Sequence, residues 1–196
     1  MLKTEKINTS RRAFTNIAMT FGLTSAVCPL SSLMLPESAL AAAPASLKLY
    51  NPHTKEKYDI QLFSDGKWNK MGLLACDWMM RDWRENQTVQ CDRKLYAALY
   101  VIQRKFGISV PISLNSGYRS TKTNSMLRAA SIKKYGKVTK STPALTSQHL
   151  EAKAVDFSIP GVKPKDVFKY VKTLKMGGVG KYSTFTHMDT GTIRNW

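Results

Sequence analysis

The sequence predicts a single α+β domain, with a small antiparallel sheet flanked by helices. The first observation is the order of the patterns: an alternating apolar and polar hairpin comes first, helical spacing follows, and separated strand-like segments come last. A regular parallel α/β fold would instead repeat strand and helix along the chain. The second observation is the length of 196 residues, which suits one domain preceded by a short leader.

A β-hairpin and two helices are predicted in the first half of this domain. Leu47–Asn51 and Lys57–Phe63 alternate apolar and polar residues around a turn at 52–54. Apolar residues at helical spacing then predict helices at Leu73–Trp83 and Arg93–Phe106.

The second half is predicted to contain shorter elements, bounded by turn residues and helix caps. They are a strand at Val110–Leu114, a helix that Thr121 or Thr123 caps and that runs towards Lys134, a strand at Ala154–Ile159, a helix at Pro164–Leu174 with proline in its first turn, and a short strand near Thr184–Asp189.

Residues 1–41 are predicted to be a removable signal peptide of the twin-arginine type. Arg11 and Arg12 lie in an S-R-R-A-F pattern, a mostly apolar stretch follows at 17–35, and residues 39–41 form an A-x-A cleavage site. The apolar stretch contains Thr, Ser and Pro and is weak for a membrane span, so no stable anchor is expected after cleavage. The mature domain is therefore expected at 42–196, in the periplasm.

The chain is strongly basic, with 30 Lys+Arg against 13 Asp+Glu and a net charge of +17. Such a charge favours polyanionic partners. Because an exported protein does not meet the chromosome, the expected partner is a cell-envelope polymer and not nucleic acid. The basic loop Lys133–Lys140 is either a solvated charge run or a contact with anionic wall polymer, and the sequence leaves both open.

Two of the three histidines lie in patterns that suit a metal site. Asp156 follows His149 by seven positions, inside an apolar strand, and His187 lies in a T-H-M-D pattern. Two imidazoles and a carboxylate can supply three ligands to a tetrahedral zinc ion and leave the fourth position for water. A carboxylate in an apolar strand is costly without a partner, which a metal would supply. The spacing alone also permits structural roles, and His53 is expected to be a solvated turn residue.

These patterns occur together with three others. They are S-G-Y-R-S at 116–120, G-G-V-G at 177–180 and H-M-D-T-G at 187–191, and Ser147 precedes His149 by two positions. In this order and at these gaps they resemble the M15 family of zinc peptidases over nearly all of residues 42–196. The resemblance implies the fold shared by D-alanyl-D-alanine peptidases and the hedgehog signalling domain. It also implies hydrolysis of peptide bonds in bacterial peptidoglycan.

The resemblance implies a role for each matching residue. His149, Asp156 and His187 would hold one Zn²⁺ ion. Arg119 would face the cleft and pair with a substrate carboxylate or a developing oxyanion, its alternative being a structural ion pair. Ser147 would hydrogen-bond the substrate or only shape the turn beside the first ligand.

The family pattern does not identify a general base in this sequence. Several M15 members carry an acid three residues before the second histidine ligand, where this chain has Thr184. Asp189 shares a strand face with His187, so it could act as the base or orient a ligand histidine. Glu151 is a weaker candidate.

The expected function is that of a monomeric murein endopeptidase, a zinc metallopeptidase that hydrolyses cross-links between peptidoglycan stem peptides. A D,D-carboxypeptidase and a catalytically silent peptidoglycan-binding domain are the alternatives, the second because of Thr184. The spacing of Cys76 and Cys91 does not decide whether they form a disulfide.

Overall fold

The computed structural model describes residues 45–64, 66–107 and 109–196. The predicted signal peptide lies outside the described residues. Within them, no helix has both the length and the apolar character needed to cross a membrane. The described strands are β1 (Ala45–Tyr50), β2 (Lys57–Ser64), β3 (Lys67–Trp68), β4 (Ile112–Ser116), β5 (Ala154–Ser158), β6 (Gly178–Lys181), β7 (Thr186–Asp189) and β8 (Arg194–Asn195). The described helices are α1 (Lys70–Met79), α2 (Arg93–Phe106), α3 (Thr121–Tyr135) and α4 (Pro164–Thr173).

All eight described strands form one sheet, in the order β3-β2-β1-β4-β5-β7-β6-β8. The pairs β1–β4 and β6–β8 are parallel and the other neighbours are antiparallel. The predicted α+β class is confirmed, and the sheet is larger than predicted and mixed. The additional strands lacked a sequence signal because β3 and β8 have two residues each and β6 contains two glycines, so no alternating pattern can develop.

The β1–β2 hairpin is confirmed, and its alternation supplies one side of the core. Leu47 pairs with Ile60 across the two strands, and Leu47 and Leu49 are fully buried. Residues that face each other across an antiparallel pair lie on the same side of the sheet. Helix α2 packs on β1, and its Leu95 and Leu99 are also fully buried. The hairpin is therefore held by apolar burial on this side.

Helix α2 has the predicted bounds, because its start and its end carry local signals. The side chain of Asp92 accepts a hydrogen bond from the Lys94 N–H at 3.0 Å, and Gly107 follows the last turn with a φ of 115°. Helix α1 instead ends at Met79 and not at Trp83. Its start is capped by Asn69, which accepts hydrogen bonds from two backbone N–H groups.

Helix α3 is capped by Ser120. The sequence had predicted Thr121 or Thr123 as the cap, and that prediction is wrong. The Ser120 hydroxyl accepts a hydrogen bond from the Thr123 N–H at 3.1 Å. Three neighbouring residues could cap this helix, and a distant contact selects one of them. Asp82 accepts a hydrogen bond from the Ser120 N–H at 2.9 Å, which holds the backbone of Ser120 extended. The helix therefore begins where the chain is attached to the loop after α1.

Cys76 and Cys91 are both buried and both carry free thiols. Burial raises the pKa of Cys91 to about 12 and raises that of Cys76 well above its usual value. Both sulfurs are therefore protonated at neutral pH, which makes them poor nucleophiles.

We expect Asp82→Asn to lower the free energy of unfolding by about 1–3 kcal/mol at pH 7. Asp82 is 2% exposed, and its carboxylate accepts hydrogen bonds from the Ser120 and Arg84 N–H groups. Burial alone would raise its pKa, but the Thr123 side chain together with Ser120 and the Arg84 N–H holds it below the usual value. Its contribution is therefore complete above the unfolded-state pKa of about 3.9 and is lost as the pH falls through the lower folded-state pKa.

Urea unfolding at a series of pH values would measure this difference. The matched control is Asp59→Asn, because the side chain of Asp59 is 57% exposed. Equal unfolding free energies for the Asp82 variant and the wild type at pH 7 would contradict the expectation.

Candidate metal centre

Strands β5 and β7 bring two of the three predicted ligands side by side. Asp156 and His187 are directly paired in the antiparallel register, so their side chains lie on the same face. The His187 Nδ1 lies 2.8 Å from the Asp156 Oδ1. Both residues are buried. The pairing of two central strands thus sets the distance between these groups.

His149 reaches the same point from the turns that precede β5. Its Nδ1–H donates to the Gly117 carbonyl at 2.6 Å, which directs Nε2 towards Asp156. The Nε2 lies 3.3 Å from the Asp156 Oδ2, and the residue is 2% exposed. The backbone of the S-G-Y-R-S segment therefore orients the third side chain.

These three side chains fit a divalent metal ion. One ligand atom from each residue lies within 4.8 Å of the others. Among the described residues, this is the one group of three or more His, Cys, Asp or Glu side chains that converge in this way. A tetrahedral zinc ion with bonds of about 2.0–2.1 Å separates its ligand atoms by about 3.3 Å. The separation of 3.3 Å between His149 Nε2 and Asp156 Oδ2 matches this geometry. Two imidazoles and one carboxylate also form a donor set that zinc accepts.

The charges of the cluster also suit a cation. Burial alone would raise the pKa of Asp156, but His149, His187 and Arg119 hold it well below its usual range. Burial lowers the pKa of His149. Asp156 is thus ionised and His149 is neutral at pH 7, as metal ligands must be. Burial alone would lower the pKa of His187, but the carboxylates of Asp156 and Asp189 raise it, so a metal would have to displace a proton from this imidazole.

Asp189 lies behind His187 and not in the cleft. It is fully buried, and its Oδ2 lies 3.0 Å from the His187 Nε2. Its Oδ1 accepts hydrogen bonds from the Gly178 and Gly191 N–H groups, each at 2.9 Å. Burial alone would raise the pKa of Asp189, but these donors hold it far below its usual value. The His187 ring is thus held between Asp156 on one nitrogen and Asp189 on the other.

Arg119 lies against the cluster, in a position that suits both of its predicted roles, a structural ion pair and a contact with substrate. Its Nη2 lies 2.5 Å from the Asp156 Oδ2, and its Nε–H donates to the Ser116 hydroxyl at 2.8 Å. The contact with Asp156 is an ion pair, as the structural role predicts, and the arginine side chain is 11% exposed. Arg119 also lines the cleft above the cluster. Its role towards substrate stays a prediction.

The other predicted residues are divided between the cleft and the surface. Ser147 lines the cleft, and its hydroxyl accepts a hydrogen bond from the His149 N–H at 3.3 Å, so it also shapes the turn. Thr184 and Glu151 are exposed, and neither is among the described residues that line the cleft. Among the described residues that line the cleft, Asp156 is the one that carries a carboxylate.

The cleft has a volume of about 200 Å³ and two unlike walls. One wall is a polar segment at 140–148, and the other carries the aromatic side chains of Tyr182, Phe185 and Trp196. The rings of Tyr182 and Phe185 stack with centroids 4.4 Å apart. Sequence reasoning missed this aromatic wall and the neighbouring Arg194, because these residues fall outside every predicted motif.

We expect Gly117→Ala to weaken zinc binding about 10-fold or more, because outer partners of metal ligands contribute 10–100-fold to metal affinity. A Cβ at this position would lie 2.3 Å from the Met80 carbonyl oxygen. The loop must therefore shift, and it carries the carbonyl that orients His149. Chelator competition on the metal-free protein measures the affinity.

Gly136→Asn is the matched control for this variant. No atom lies within 4 Å of a Cβ at Gly136, and asparagine tolerates its φ of 67°. Wild-type zinc affinity in the Gly117→Ala protein would show that the carbonyl contact does not orient His149.

Comparisons with a family model and with individual proteins indicate the same family for this chain. A model of M15-type peptidases, described as Peptidoglycan L,D-endopeptidase MepK, matches residues 39–196. The peptidoglycan L,D-endopeptidase MepK of Escherichia coli (strain K12) is 34% identical over 173 residues, which cover 85% of this chain and 90% of that protein. The probable peptidoglycan L,D-endopeptidase MepK of Haemophilus influenzae is 35% identical over 170 residues, with 83% and 87% covered.

A search of solved structures found no match. The family model covers most of the chain, and the two relatives are similar over nearly their whole lengths. The chain belongs to the peptidoglycan L,D-endopeptidase MepK family of M15 peptidases.

Proposed function

We propose that this chain is a zinc metallopeptidase that hydrolyses peptide cross-links between peptidoglycan stem peptides. Its family makes it a hydrolase of the peptidase class. The observation that carries the metal assignment is the buried cluster of His149, Asp156 and His187, whose ligand atoms converge within 4.8 Å at the cleft. The relatives are named L,D-endopeptidases, and we extend that class of bond to this chain.

In this proposal, His149 Nε2, the Asp156 carboxylate and His187 Nδ1 are the zinc ligands. A zinc ion held by these residues would supply Lewis-acid chemistry, which would polarise a substrate carbonyl and activate water for amide hydrolysis at neutral pH. The protein's part is to present the ligands in fixed orientations. The Gly117 carbonyl orients His149 and the Asp189 carboxylate orients His187.

Arg119 and Ser147 are proposed to contact the substrate. A guanidinium carries five N–H donors, and the contacts with Ser116 and Asp156 involve Nε and Nη2. The remaining donors can pair with a substrate carboxylate or with the negative charge that develops on the carbonyl oxygen. The Ser147 hydroxyl, which accepts from the His149 N–H, still has a proton to donate to a substrate carbonyl.

We propose that Asp189 is a positioning residue and not the general base. Its two oxygens already accept hydrogen bonds from Gly178, Gly191, His187 and Arg194. Its pKa is held far below the usual value, so the carboxylate is a poor proton acceptor at neutral pH. Of the two roles that the sequence left open for Asp189, we therefore propose the orienting one.

We also propose that the domain acts as a monomer in the periplasm, after export directed by residues 1–41. The support is the twin-arginine pattern of the leader and the peptidoglycan named as the relatives' substrate. Peptidoglycan is the proposed partner, and nucleic acid is not.

We expect the mature protein to convert cross-linked peptidoglycan dimers to monomers, a chelator to abolish the conversion, and added zinc to restore it. His149→Ala should reduce conversion to background, because it removes one of three proposed ligands. His53→Ala is the matched control, since His53 lies at the exposed hairpin turn against Trp83. Products are resolved by mass.

The same digestion separates the alternatives. Release of D-alanine without splitting of dimers would make the protein a D,D-carboxypeptidase. Binding without any product, by folded and zinc-loaded protein, would make it a silent peptidoglycan-binding domain. Full activity of folded His149→Ala protein would contradict the metal mechanism.

A basic surface beside the cleft is proposed to contact the anionic wall polymer. From residue 119 to residue 150 the chain has seven Lys and Arg and no Asp or Glu. This segment includes α3 and the loop that forms the polar wall, and Lys140 lines the cleft. All five lysines of this segment are exposed, and four of them lie within 133–140, namely Lys133, Lys134, Lys137 and Lys140.

We expect replacing these four lysines by glutamine, in the His149→Ala background, to weaken sacculus binding and flatten its salt dependence. Exposed charges act through solvent and are screened by salt, so both effects follow from one cause. Co-sedimentation with purified sacculi at increasing salt measures binding. The control replaces Lys163, Lys165, Lys169 and Lys172, which removes the same charge from around α4. Equal losses in the two sets would assign binding to net charge alone.

A further inference from the structure

Arg194, which none of the sequence motifs includes, contacts the carboxylate that holds His187. Its Nη2 lies 2.7 Å from the Asp189 Oδ2 and its Nη1 lies 3.2 Å from the Oδ1. We infer that Arg194 is a positioning residue of the metal centre, which fixes Asp189 and thereby the orientation of His187. This inference rests on the proposed function, because it concerns the affinity of the proposed zinc site.

The last strand brings Arg194 to this position. In β8, Arg194 pairs with Gly178 of β6 in parallel register. Backbone hydrogen bonds between Trp196 and both Val179 and Lys181 continue the attachment. A Cβ at position 178 would lie 2.4 Å from the Asp189 Oδ2 and 2.6 Å from the Arg194 Nη1. The glycine therefore leaves the space in which the arginine and the carboxylate meet.

The contact is a two-point one, so it sets orientation as well as charge. A guanidinium that meets both oxygens of a carboxylate holds the plane of that group. The same Oδ2 that accepts from Arg194 also accepts from the His187 Nε2–H at 3.0 Å. Fixing the carboxylate plane therefore fixes the direction in which the imidazole presents Nδ1 to Asp156.

The charge balance of the site points the same way. Asp189 is fully buried, and a buried carboxylate without a cation is costly. Arg194 is the cation paired with it among the described residues. Arg194 thus supplies the charge that the buried carboxylate needs, and the carboxylate remains available to accept the hydrogen bond from the His187 Nε2–H.

A positioning role differs from a purely structural one in what it changes. Arg194 is 44% exposed, but its partner Asp189 is fully buried, so loss of the arginine is also expected to lower the stability of the fold. An effect through His187 would appear in addition, in the zinc affinity of the folded protein. Arg194→Lys keeps a charge beside Asp189 and removes only the two-point contact, so weaker zinc binding by this folded variant is the result that a structural role alone would not give.

The test compares wild type, Arg194→Ala, Arg194→Lys and the control Arg104→Ala, all as metal-free full domains. Arg104 is an exposed arginine on α2 that contacts Tyr100. Zinc dissociation constants come from competition with a chromophoric chelator, and thermal unfolding of the same samples reports the fold. We expect Arg194→Ala to bind zinc about 10–100-fold more weakly. Arg194→Lys should be intermediate, since it keeps the charge but not the two-point contact.

Each outcome is decisive. Wild-type zinc affinity in Arg194→Ala would overturn the inference and leave the proposed function intact. If the wild type binds zinc no better than His149→Ala, the proposed function fails, and this inference fails with it. If Arg194→Ala does not fold, Arg194→Lys decides: affinity equal to that of the wild type overturns the inference, and weaker binding by a folded variant supports it.

Discussion

The buried carboxylate of Asp156 is the constraint on which the rest of the site depends. It lies in a central strand, and His149, His187 and Arg119 surround it with contacts of 2.5–3.3 Å. A charge buried there is tolerated only if such partners neutralise and hydrogen-bond it. Three separate segments must therefore meet at one point: the turn before β5, the strand β7, and the loop between β4 and α3. A site built in this way is preorganised, because the packing that buries the carboxylate also sets the geometry of its neighbours.

The loop between β4 and α3 links the fold to this site. At its first end, Tyr118 donates its N–H to the Met80 carbonyl at 2.7 Å, where α1 has just ended. At its other end, Ser120 is attached to Asp82 and starts α3. Between these two attachments, the Gly117 carbonyl holds the His149 ring. Residues far from the candidate metal centre thus govern the orientation of one proposed ligand, through backbone groups that no side-chain motif reveals.

Two aspartates of the same site have different environments and therefore different roles. Asp156 faces the cleft with imidazoles on both oxygens, so a metal can replace those contacts. Asp189 is enclosed by two backbone N–H groups, His187 and Arg194, and nothing in this arrangement leaves it open to the cleft. The presence of Thr184, at the position where several M15 members carry an acid, is compatible with this division. The carboxylate of Asp189 contacts the His187 ring and does not line the cleft.

Much of this protein could be predicted from the sequence, and the limit has a physical cause. The sequence by itself determined the α+β class, the hairpin, the bounds of α2, the family, and the three side chains that meet at the cleft. These depend on local periodicity, on cap residues and on motif spacing, which are properties of contiguous residues. Only the tertiary structure decided the mixed eight-stranded sheet, the capping of α3 by Ser120, the free thiols of Cys76 and Cys91, and the contact of Arg194 with Asp189. Each of these depends on a partner distant in sequence or on strands too short to show a period, and a linear pattern carries neither kind of information.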